Sequence, residues 1–214
     1  PMQPHRWYVR LNEPPIIEST PLAEVRGKDI DPHLPRGPEA MRWRGFLNEA
    51  QMLLHQHSVN EAREERGALP INSVWLWGEG SSAPPPTRPF QRVRGRSALA
   101  AGLALASGAS AQARPEHASE WFKNTSAEGV ELIVLDDLLA PACYGDLHAW
   151  QSRLQQLERH WFAPALAALR DGRIGMLSIH SMGAGASFSV ETTRQDLRYF
   201  WRRPKALNTY ADPA

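Results

Sequence analysis

The chain has a single cysteine, Cys143. No internal disulfide can form, which fits a reducing compartment such as the cytoplasm. It has no run of about twenty apolar residues, so a membrane-spanning helix is excluded; the most apolar window, 98–111, is short and rich in Ala and Gly. The opening PMQPHRWYVRLNEPP lacks the charged-then-apolar order of a secretory signal, and a start at Pro1-Met2 suggests an incomplete or tagged chain. Lysine is scarce and arginine abundant, but acidic residues nearly balance them, for a net charge of +1. No basic stripe carries interleaved aromatics, so neither nucleic acid nor a membrane is an expected partner. No internal repeat appears, and 214 residues suffice for one sizeable core.

What is present is organised around residues 38–80. Trp43, Phe46, Leu47, Ala50, Leu53, Leu54 and His57 step by three and four, which predicts one long amphipathic helix. A shorter helix follows over Val59–Arg66, with Asn60 as its cap and Gly67 as its stop. Ser73–Trp77 then reads as a buried strand closed by Gly78-Glu79-Gly80. Further strands are expected at 6–11, 90–93, 130–135 and 173–180, with 187–190 as a hairpin partner of the last. Helices are expected over the Ser97-capped SALAAGLALAS, over 115–122, over a long stretch from Asp146 to Gly172, and over 193–202. Alternating elements of this kind predict an α/β fold, a mostly parallel sheet flanked by helices. The expected organisation is an N-terminal strand and connecting segment, 1–37, followed by an α/β domain, 38–214, with a proline-rich loop at 81–89.

Three expected strand ends carry polar groups: Glu79, Asp136-Asp137 and His180. In a parallel sheet they would lie along one edge, the edge where such folds place ligands, and could converge with His55, His57, Asn60 and Arg63. An arginine beside Asn and His suits a phosphorylated or carboxylated ligand, because guanidinium makes two parallel bonds to an anion. The alternation of Asp29, Asp31 and His33 is better explained by turn chemistry than by metal binding. Cys143 in PACYGD has no activating pattern, and HSMGAG lacks the first glycine of a nucleophile elbow, so no catalytic residue is assigned.

The run HSVNEAREERGALPINSVWLWGEG resembles the HPxNxxRxxxGxxPAN segment, followed by an apolar strand and a glycine pair, of archaeal-type cofactor-independent phosphoglycerate mutases. NEAQMLLHQHSVNEAREERGALPINSVWLWG is similar to the carboxyl-terminal half of an uncharacterised bacterial family related to them. The resemblance implies an alkaline-phosphatase-like fold, incomplete in these residues, in a family that uses two divalent metals and a phosphorylated serine. His57, Asn60, Arg63, Gly67, Pro70, Asn72, Gly78 and Gly80 match the shared motif. The Gly-His pair that would follow Asp136 or Asp137, and the carboxylate that would precede His180, are missing. The expected ligand-binding residues are therefore His57, Asn60, Arg63, Asn72, Glu79, Asp137 and His180, with no metal ligand and no cofactor. The expectation is a non-catalytic binding or regulatory module for a phosphorylated or anionic small molecule, partnered by a missing N-terminal half or another protein. The alternative is a metal-dependent phosphomutase or phosphatase, using Mn or Zn, whose remaining catalytic residues lie upstream. A structural interaction domain built on Trp43, Trp75 and Trp77 is a third reading.

Overall fold

A computed structural model describes residues 6–81, 87, 90–124, 129–182 and 187–199. Most of the expected proline-rich loop, residues 183–185 of the SMGAG turn and the end of the helix expected over 193–202 lie outside the described residues. The chain divides into two compact units, 1–84 and 85–214. The boundary falls within the proline-rich stretch, and residue 37 lies inside the first unit.

In the first unit, α1 (Leu22–Val25) precedes a 3-10 turn at Asp31–His33. Asp29 Oδ1 accepts from the Asp31 N–H at 3.2 Å, which is the turn chemistry expected of that segment. The long helix forms as α2 (Ala40–His55), but its inward stripe is narrower than its sequence suggests. Leu47 is buried and Trp43, Ala50 and Leu54 are half-buried, whereas Phe46 and Leu53 are 49% and 66% exposed. α3 (Ser58–Glu64) follows, and Gly67, at φ +69°, turns the chain back in a conformation that a Cβ would disfavour. Neither strand expected in this unit forms: residues 6–11 and 73–77 carry no strand pairing. Trp75 is tied instead by its indole N–H to the Thr20 carbonyl at 2.9 Å.

The second unit holds the α/β architecture. Three short strands, β1 (Arg92–Arg94), β2 (Ser110–Gln112) and β3 (Glu131–Ile133), run parallel in the order β2-β1-β3, with Val93 opposite both Ala111 and Leu132. The Ser97-capped α4 (Ala98–Ala106) connects β1 to β2, and α5 (Ala118–Asn124) connects β2 to β3. Side chains alternate across the sheet as the pleat requires. Val93, Ala111, Leu132 and Val134 pack with Ala100 and Ala104 of α4. Ile133 and Leu135 pack on the other face with Ala118, Trp121 and Phe122 of α5 and with Leu157 and Trp161 further on. A Cβ on Gly95 would meet the Val134 Cβ at 3.1 Å, so glycine lets the end of β1 pass close to β3.

The long C-terminal helix is built in three parts. After α6 (Leu139–Cys143), which has no sequence signal of its own, Asp146 caps α7 (Leu147–Leu157) by accepting from the Ala149 N–H at 2.8 Å. A π-helical turn at Glu158–Phe162 follows, and then α8 (Ala163–Arg170). Pro164 has no N–H to give the His160 carbonyl, and the wider turn, in which the Ala163 N–H bonds Glu158 O, absorbs that break. Leu157, Trp161, Ala165, Ala168 and Leu169 form its buried stripe.

The strand expected over 173–180 forms as β4 (Met176–Met182) and pairs antiparallel with β5 (Ser187–Thr193), the hairpin expected with 187–190; the two make a separate sheet, so β4 is not a neighbour of the parallel strands. Among the described residues of the helix expected over 193–202, only a 3-10 turn, Asp196–Arg198, is helical. Among the described residues no helix is long and apolar enough to cross a membrane.

Candidate functional site

The residues of the HxxNxxR motif close a loop on themselves. His57, not Asn60, caps α3: its Nδ1 accepts from the Val59 N–H at 3.1 Å. Asn60 is buried, donates to the Leu54 and Ile71 carbonyls at 2.8 and 2.9 Å, and accepts from the Ile71 N–H at 2.7 Å. Arg63 Nε donates to Leu69 O at 2.8 Å. Asn72 is exposed, beside Asn60 on a groove of about 810 Å³ that Gln51, His55 and Glu64 also line. The motif's spacing therefore serves backbone groups of residues 54–71 that the turn would otherwise leave without partners. Asn60→Ala is expected to lower the unit's stability by about 2 kcal/mol, since three backbone groups lose a buried partner; thermal melting of the variant checks this.

Glu79, also in the first unit, does not end a strand. Both its oxygens are held by Ser19: one accepts the backbone N–H at 2.8 Å, the other the hydroxyl. Partial burial would raise its pKa, but these bonds outweigh that and keep it below the ordinary carboxylate value. His180 lies within β4, exposed, with Nδ1 2.9 Å from Ser189 Oγ across the hairpin. Asp137 follows β3 in the parallel sheet. Glu79, Asp137 and His180 thus do not share one sheet, and the single rim expected from three parallel strands does not exist.

A different set gathers at the carboxyl ends of the parallel strands in the second unit. Arg96 follows β1, Arg114 and Glu116 follow β2, and Asp137 follows β3; the π-helical turn supplies His160 and Trp161, and α7 supplies Arg153. Order β2-β1-β3 reverses direction between β1 and β3, the position at which open α/β sheets leave a ligand crevice beyond the strand ends. These side chains enclose a cavity of about 70 Å³. At its floor Arg114, whose side chain is 2% exposed, donates through both terminal nitrogens to the two oxygens of Asp137 at 2.5 and 2.9 Å. Its guanidinium lies 5.6 Å from the Trp161 ring centre. The Arg114 bonds hold the Asp137 carboxyl below its ordinary pKa, against its partial burial. Burial works to lower the Arg114 pKa, but Asp137 and other nearby carboxylates outweigh it and raise the value. Arg114 Nε is buried without a partner. Above it Arg96 pairs with Glu116, Arg153 bonds the neutral amide of Gln156 at 3.0 Å, and His160 meets His117 edge to face at 4.3 Å.

Of this set, sequence reasoning named only Asp137. β2, reading Ser-Ala-Gln, has no apolar alternation to mark it, so Arg114 read as a loop residue. His160 fell inside a helix whose apolar stripe drew attention elsewhere. The available signal was an arginine shortly after each of two adjacent strands of an α/β unit.

Among the described residues no group of three or more His, Cys, Asp or Glu side chains is placed to hold a metal ion. Asp137 gives both its oxygens to Arg114, and Glu79, in the other unit, gives both of its oxygens to Ser19.

The fold and this edge define an α/β unit with a polar crevice at the carboxyl ends of its strands. The chain resembles cofactor-independent phosphoglycerate mutases over about a third of its length. It is 40% identical over 77 residues to the 2,3-bisphosphoglycerate-independent phosphoglycerate mutase of Methanothrix thermoacetophila, covering 36% of this chain and 19% of that protein. The corresponding values are 35% over 80 residues, 37% and 20%, for the enzyme of Methanosarcina acetivorans. For a probable mutase of Geobacter sulfurreducens they are 39% over 62 residues, 29% and 16%. The matched stretch spans about a fifth of the length of these curated relatives. No protein-family model matches the chain, and no solved structure matches it significantly.

Proposed function

We propose that this chain is a phosphoglycerate-mutase-like module of the cytoplasm that binds a phosphorylated or otherwise anionic small molecule without metal-dependent catalysis in these residues. The observation that supports this most is the commitment of Asp137 to Arg114. A carboxylate that ligates a divalent ion presents a lone pair and a full negative charge to it; here a buried guanidinium takes both oxygens and neutralises the group. The alkaline-phosphatase-like ancestry implied by the family resemblance belongs to the same reading, as does a reducing compartment, in which Cys143 stays a thiol.

The test is a metal analysis of the purified protein combined with mutase and phosphatase assays in added Mn and Zn. The expected result is no stoichiometric metal and no turnover. One or two equivalents of tightly held metal with turnover of a phosphoglycerate would establish the enzyme alternative instead.

A further inference from the structure

We infer that the cavity at the carboxyl edge of the parallel sheet is a metal-independent oxyanion site, in which guanidinium groups supply the positive charge that divalent ions would otherwise bring. The inference rests on the proposed anionic ligand and adds where and by what chemistry it is held.

The charge count favours an anion. Arg96, Arg114 and Arg153 face Glu116 and Asp137 around one cavity. Two of these cations are each matched by a carboxylate, while Arg153 bonds a neutral amide, so among the arginines and carboxylates of the lining one positive charge is in excess; Asp136, outside the lining, also acts on Arg114. The size suits one headgroup: about 10–15 Å³ of such space holds a water, so about 70 Å³ admits a few waters or one tetrahedral oxyanion. Arg114 is fixed in place by Asp137, which takes both its terminal nitrogens, and by the Trp161 ring. Arg96 and Arg153 sit on the more open side, where each can turn a fork of N–H groups toward an entering anion. Arg114 is then a positioning residue that sets the local charge, and Arg96 and Arg153 are the contacting arms.

Inorganic phosphate titrated calorimetrically into the full chain in EDTA, with chloride at matched ionic strength as the reference, tests this. The native protein is expected to bind phosphate in EDTA. Arg96→Gln and Arg153→Gln are each expected to weaken binding about tenfold. Arg63→Gln, in the first unit, is expected to leave it unchanged. Because Arg96 and Arg153 are surface-accessible, matching circular dichroism spectra are expected for both variants. Three results would overturn the inference. Binding that survives both substitutions, or that falls with Arg63→Gln, places the anion elsewhere and leaves the proposed function standing. Binding abolished by EDTA and restored by Mn returns the charge to a metal and removes the non-catalytic reading as well. No binding by the native protein ends both the inference and the anionic-ligand reading.

Discussion

Arg114→Met is expected to destabilise the second unit by about 3–5 kcal/mol, the range for breaking a buried ion pair from one side. The loss follows from what is left behind. Asp137, whose side chain is 18% exposed, would keep a charge that its surroundings no longer balance, and Trp161 would lose the cation 5.6 Å from its ring centre. Methionine fills much of the space of the arginine stem, so packing changes little and the charge dominates. Adding Asp137→Leu to Arg114→Met is expected to recover most of the loss, since removing both charges also removes their desolvation cost. Hydrogen exchange of the β1 and β3 amides in increasing urea reads this unit separately from the first. A single variant within about 1 kcal/mol of the parent would show that solvent screens the pair and that it does not organise the carboxyl edge.

The parallel unit was legible where local signals were strong. A Ser cap and an Ala/Leu run announced α4, a three-four apolar stripe from Asp146 onward announced the C-terminal helix, and Val130–Leu135 announced β3. What failed were inferences from apolar content without pairing. Ser73–Trp77 has the composition of a buried strand, yet it pairs with no strand, Trp77 is 45% exposed and Trp75 bonds Thr20. Residues 173–180 do form a strand, and the hairpin partner expected at 187–190 is present as β5; what failed was counting that strand among the parallel neighbours as well, because the hairpin makes a sheet of its own. β2 escaped because three small or polar residues between a helix and a loop carry no period at all.

The site was harder to read for a related reason. The HxxNxxR motif stands out in sequence because each side chain has one demanding job, but that job is internal: capping a helix and pairing the backbone around Asn60. The carboxyl-edge residues come from three strand ends and a helix distant in sequence, and only the strand order β2-β1-β3 brings them together. The π-helical turn that places His160 and Trp161 has no side-chain period of its own, although Pro164 marks where a regular helix must give way.

The second large effect is expected at Glu131, at the head of β3. Its side chain is 5% exposed and accepts from the Arg92 guanidinium, from Arg94 Nε at 3.2 Å and from the Trp121 indole N–H at 2.8 Å. Register places Arg92 directly opposite, and the pleat puts Arg94 on the same face, so β1 and β3 are joined there by charge as well as by their ladder. Burial pushes the Glu131 pKa up, but the bonds from Trp121, Arg94 and Arg92 outweigh it and hold the carboxyl below its ordinary value. A carboxyl depressed in the folded state adds stability above its unfolded pKa, near pH 4, and loses it as pH falls through the folded value. Asp137 is depressed in the same direction, so the parent's second unit is expected to lose stability steadily below about pH 4. Glu131→Gln keeps the shape and one acceptor but removes the charge facing two arginines, and is expected to cost about 3 kcal/mol at neutral pH. It is also expected to flatten the acid limb, because one of the two depressed carboxyls no longer titrates. Urea midpoints of the β3 amides from pH 7 to pH 3 measure both effects. A variant whose stability runs parallel to the parent's across that range would show that Glu131 does not couple strand pairing to protonation.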